Sequence, residues 1–90
     1  MSGFVGDLVT KVRFVFPQDI RDFVYATQAY KFKVSVQSEN YIVNGKSILG
    51  VLSLDLTKPV EVIVDTGLMS HFNEEDYKQY LVDIDRWVVR

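Results

Sequence analysis

Apolar and polar residues alternate along some stretches of the chain and recur every three to four positions along others. Over residues 11–16, Val12, Phe14 and Phe16 fall on one side and Lys11, Arg13 and Val15 on the other. That period of two predicts a half-buried strand. Pro17 stops such a ladder and suits the first turn of a helix. From Asp19 to about Tyr30 the spacing changes: Ile20, Phe23, Val24 and Thr27 form one stripe of an amphipathic helix. Phe32, Val34 and Val36 predict a second strand. Ser38-Glu39-Asn40 has turn chemistry, and Tyr41-Ile42-Val43 predicts a short third strand. After a break at Asn44-Gly45, Ser47 is placed to cap a short helix through Ile48–Leu52. Gly50 inside that helix either weakens it or lets something pack close.

Beyond Pro59, Val60–Val64 is the clearest strand, ended by Thr66-Gly67. Leu68 to Phe72 connects to Asn73, an N-cap for a last helix with Glu74, Glu75 and Asp76 in its first turn, where the helix dipole favours acid. Tyr77, Leu81, Ile84 and Val88 are its expected buried face. Tyr25, Tyr80 and Trp87 fall off the buried stripes. The order is β-α-β-β-α-β-α. Every strand has one apolar face, so the expected class is α+β, with a four-stranded, mostly antiparallel sheet covered on one side by three helices.

Composition narrows the function by exclusion. Ninety residues make one domain, and 48% apolar content with fifteen valines is enough to fill a core. The chain has no cysteine, which removes disulfide, cysteine–zinc and iron–sulfur chemistry. A net charge of −2 argues against nucleic acid as a partner. No signal-peptide pattern or bilayer-length apolar run is present, so the expected setting is cytoplasmic, with no membrane partner. Gly45-Lys46-Ser47 ends like a Walker A loop, but position 40 is Asn40 where that motif needs glycine.

The run Gly45-Lys46-Ser47-Ile48-Leu49-Gly50-Val51-Leu52-Ser53-Leu54, set in this element order, resembles HPr, the histidine phosphocarrier of the bacterial sugar phosphotransferase system. The resemblance covers residues 11–84, with Phe23-Val24 on the first helix and Val34-Ser35-Val36 on the second strand. It implies an HPr-like open-faced sandwich over residues 11–90, preceded by an extension over residues 1–10. Phe4, Val5, Leu8 and Val9 of that extension are free to lengthen the first strand, cover the open sheet face or swap onto a neighbour.

The family's H-x-R-P loop is missing. Phe16 runs almost directly into Pro17-Gln18-Asp19, and Asp19 puts negative charge where a phosphoryl group needs positive potential. The resemblance therefore points to a divergent, non-catalytic member that has lost the phosphoacceptor. It implies that Ser47 is the position of a regulatory phosphate, although a plain helix cap also explains a serine there. It also implies that the first and second helices dock partner proteins, with Lys46, Leu49, Leu52 and Tyr25 as candidate contacts. The expected partner is another protein, such as an HPr kinase or a regulator.

His71, the only histidine, lies in a connection longer than the family's and has no counterpart there. It reads as an exposed loop residue, or else as a non-standard phosphoacceptor or metal ligand. The paired carboxylates at Glu74-Glu75-Asp76 and at Asp83 and Asp85 fit a solvated helix face better than catalysis. No cofactor and no metal site are expected.

Overall fold

In a computed structural model, residues 7–90 are described. Strand β4 (Val60–Val64) lies inside a four-stranded antiparallel sheet of order β1-β4-β2-β3, between β1 (Leu8–Val12) and β2 (Val34–Gln37). Among the described residues, strand β3 (Ile42–Asn44) pairs only with β2 and forms one edge. The register stacks Val12 on Val60, and Thr10, Val62, Val36 and Val43 in one row across the sheet. Val34, Val36, Val60, Val62 and Val64 are buried, whereas Glu61 is exposed. One face therefore carries the core and the other is open, the arrangement antiparallel sheets permit.

Three helices, α1 (Pro17–Gln28), α2 (Ile48–Leu52) and α3 (Glu74–Ile84), contribute to a single core. The stripe Ile20, Phe23, Val24 and Thr27 is buried, as the spacing predicts. The α+β class and the helix-covered antiparallel sheet follow the pattern read from the sequence. No helix among the described residues is long and apolar enough to cross a membrane.

Three expectations are corrected. The first strand covers Leu8–Val12 rather than residues 11–16, so it begins within the segment expected to be an extension. Leu8 and Val9 lengthen it, while Phe4 and Val5 lie outside the described residues. The strand's pairing with β4 ends at Val12 opposite Val60, the first residue of β4, and residues 87–89 lie along its other edge. Val12 bridges Val88, and the amide of Arg13 donates to the carbonyl of Trp87 at 2.8 Å. Phe14 is buried, but Phe16 becomes the extended residue before α1 and is 65% exposed.

Trp87 and Tyr80 are buried rather than exposed. Trp87 follows Tyr80 and Ile84 at helical spacing, through the 3-10 turn Asp85–Trp87 that ends α3, and its indole packs on Phe14 and Phe23 at ring distances of 6.0 and 6.1 Å. Tyr80 enters the core because its hydroxyl meets Thr27 Oγ1 at 2.7 Å. Thr27 itself donates to the Phe23 carbonyl at 2.8 Å. Its single proton is thereby used, and Tyr80 must be the donor to it. Packing and this satisfied pair offset the cost of a buried phenol.

The pair is chemically asymmetric, which gives a test. Tyr80→Phe removes one buried hydrogen bond and leaves Thr27 bonded, a loss of about 1 kcal/mol. Thr27→Val strands the Tyr80 hydroxyl in the core and costs more, roughly 1–3 kcal/mol. Urea denaturation of the two variants is expected to place Thr27→Val below Tyr80→Phe.

Candidate functional site

The candidate site is the side of the molecule formed by the start of α1 and by α2. Helix α1 opens with Pro17, whose missing N–H costs nothing in a first turn. The Asp19 carboxylate turns back and accepts the amides of Val15 and Phe16, both at 3.1 Å. Burial pushes the Asp19 carboxyl up, but these two hydrogen bonds, the Trp87 side chain and the charge of Arg86 outweigh it and hold the group below the ordinary carboxylate range. The helix start thus carries its own anion, and an arriving phosphoryl group meets like charge, with the Val15 and Phe16 amides already taken.

The start of α2 is closed differently. Ser47 Oγ accepts the amide of Gly50 at 3.0 Å, the cap expected from its position. Gly50 answers its own question: a β-carbon there lies 3.2 Å from Ser47 Oγ and 3.4 Å from Val43, so the glycine admits the cap. Gly45 is tighter still, since an added β-carbon would sit 2.9 Å from Val34 Cγ1.

Lys46 is half-buried. Its Nζ donates to the Tyr30 carbonyl at 2.5 Å, and its own carbonyl accepts from Gln28 Nε2 at 2.8 Å. Loss of solvent lowers its ammonium below the usual lysine value. Lys46 therefore works as a strut between the end of α1 and the start of α2, with its charge turned inward.

The other three candidates face outward. Leu49 is 81% exposed, and Leu52 and Tyr25 are exposed as well. The Gln28–Lys46 contact joins the end of α1 to the start of α2. At the other extremity a groove of about 630 Å³ is lined by Phe16, Pro17 and Ile20 together with Leu52 and Leu56. The two helices therefore run antiparallel. Pro17, Arg21, Tyr25 and Gln28 follow helical spacing along the α1 flank that reaches α2. Tyr25, Leu49 and Leu52 consequently share one side of the molecule. Val15 and Phe16 join them, and both were missed because strand alternation had claimed them. Pro17 was the available signal, since a proline in the first turn makes the residue before it a helix boundary.

The remaining candidates separate from this side. His71 is exposed, with φ of 57° in the left-handed region, and closes the 3-10 turn Leu68–Ser70. Asp83 accepts from Tyr30 and from Gln79, and Asp85 pairs with Arg90. Asn73 caps α3 by accepting the amide of Asp76 at 3.0 Å. Among the described residues no group of three histidine or carboxylate side chains is placed to hold a metal ion. Neither the protein-family models nor the curated proteins nor the solved structures contain a match to this chain.

Two measurements test this geometry. The Asp19 carboxyl is lowered in the folded state, so its contribution is complete above the unfolded value of about 3.9 and is lost as pH falls through the folded value. Asp19→Asn should be less stable than the parent at neutral pH, and the gap should close on acidification when urea midpoints are followed against pH. Ser47→Ala removes the α2 cap and should cost about 1 kcal/mol in the same assay at neutral pH.

Proposed function

We propose that this chain is a non-catalytic HPr-like module that binds another protein through its α1–α2 side, with Ser47 as a phosphorylation switch. The observation that carries this reading is the pairing of a closed helix start with an open apolar patch. Asp19 occupies the Val15 and Phe16 amides just ahead of α1, while Leu49, Leu52, Tyr25, Val15 and Phe16 stand exposed beside it. An apolar patch next to an anion site that its own carboxylate fills fits docking better than group transfer. The element order and the sheet with one helix-covered face support the HPr-like form of the open-faced sandwich. The proposed setting is the bacterial cytoplasm, with a kinase of the HPr type or a regulator as partner.

Ser47 gives this surface its control. A phosphate there carries close to two negative charges, two residues from Leu49 and five from Leu52. It would oppose an apolar partner and favour a basic one. The hydroxyl is only partly buried, so a kinase reaches it without unfolding α2.

Intact-mass analysis after two incubations tests the reading. With phosphoenolpyruvate and enzyme I, no phosphate is expected; an acid-labile adduct would overturn the proposal and point to His71. With ATP and an HPr kinase, one acid-stable phosphate is expected, absent in Ser47→Ala. Its absence from the parent as well would remove the switch and leave Ser47 a cap.

A further inference from the structure

On another part of the chain, the connection from β4 to α3 presents a built apolar knob beside an apolar groove. Leu68 is 100% exposed and Met69 83% exposed, on a turn that is held from beneath. Ser70 is buried, with its hydroxyl 2.7 Å from the carbonyls of both Asp65 and Gly67, and Asp65 Oδ1 accepts the Gly67 amide at 2.7 Å. A fixed turn spends little backbone entropy when it docks, and two large, mostly exposed apolar side chains are stabilised by an apolar cover.

Thr66 and Phe72 flank this turn, and both line a groove of about 530 Å³ completed by Leu8, Tyr77, Leu81, Glu74 and Lys78. Knob and groove are thus neighbours on one face. Glu74, Tyr77, Lys78 and Leu81 follow helical spacing along one flank of α3, with an acid and a base four residues apart at the rim. Glu74 makes no ion pair among the described residues, and Lys78 makes only an exposed one to Glu75 at 3.8 Å. A twofold axis across this face brings the two α3 helices together antiparallel. Glu74 of each copy would then stand opposite Lys78 of the other, an acid against a base in both halves of the contact. Such self-complementarity is what an isologous contact requires.

We propose that two copies of this chain pair through the Leu68–Met69 knob and the groove along α3. The face is separate from the α1–α2 side, so this pairing stands or falls independently of the docking function above.

Sedimentation equilibrium of the full chain over a concentration series tests it. The expected mass rises from 10.4 kDa towards twice that value. Leu68→Asp, at a position without packing contacts to lose, should weaken association by on the order of tenfold or more. Glu74→Lys and Lys78→Glu should each weaken it, and the two combined should restore it. A monomer at every concentration would overturn the proposal, leaving the knob to a different protein or the groove to residues 1–6. A dimer indifferent to Leu68→Asp and to the charge exchange would overturn it equally, because the contact would then lie elsewhere.

Discussion

Trp87 stands edge-on to Phe14 and Phe23, carries the Arg86 guanidinium 4.2 Å above its ring, and accepts the Arg13 amide on its carbonyl. The indole thereby joins the last turn of the chain to the first strand and the first helix. Phe14 must turn inward to meet it, and the backbone between Val12 and Pro17 bends to allow this. That bend exposes Val15 and Phe16 and brings Asp19 onto their amides. The candidate surface is therefore a consequence of aromatic packing at the back of the same connection. Each edge-to-face pair adds about 1 kcal/mol beyond the area it buries. The cluster is also non-local, linking positions more than seventy residues apart.

That distance explains what the sequence disclosed and what it hid. Helix α1, helix α2 with its serine cap, β4, and the Asn73 cap of α3 were legible because each is written in neighbouring residues. The start of β1 was not, since its extent depends on Val60 to Val64 and on Val88. Alternation over residues 11–16 was a true pattern with a different cause: Phe14 is buried by Trp87 and Phe23, not by strand geometry. Tyr80 and Trp87 were misplaced because the stripe was drawn through Leu81 and Val88; Tyr80, Ile84 and Trp87 share the same helical spacing and are the row that the core takes. Tyr80 also needed Thr27 to satisfy its hydroxyl, and no local pattern announces a partner fifty-three residues away.

The two helix starts on the candidate side show one physical problem solved twice. Each leaves backbone amides without intrahelical partners. At α1 a carboxylate takes two amides, those of Val15 and the N-cap Phe16, and charge is then fixed for as long as Asp19 is ionised. At α2 a neutral hydroxyl fills one of them and leaves the local charge open to change. Lys46, the one nearby cation that the sequence marked for docking, is committed to Tyr30. Of the candidate contacts, the apolar ones remain free and the charged one is structural.

This division has a consequence for any modification of Ser47. The oxygen that would carry the phosphate is the oxygen that accepts the Gly50 amide, so the switch and the cap share one atom. A phosphate ester keeps acceptor oxygens within reach of the same amide, and α2 need not lose its cap when it gains charge. A β-carbon at Gly50 would lie 3.2 Å from the cap oxygen, a tight contact that the glycine spares it. The short helix can therefore keep its shape while a phosphate would make the field around Leu49 and Leu52 more negative. A surface that changes charge without changing backbone suits a partner that reads electrostatics rather than conformation.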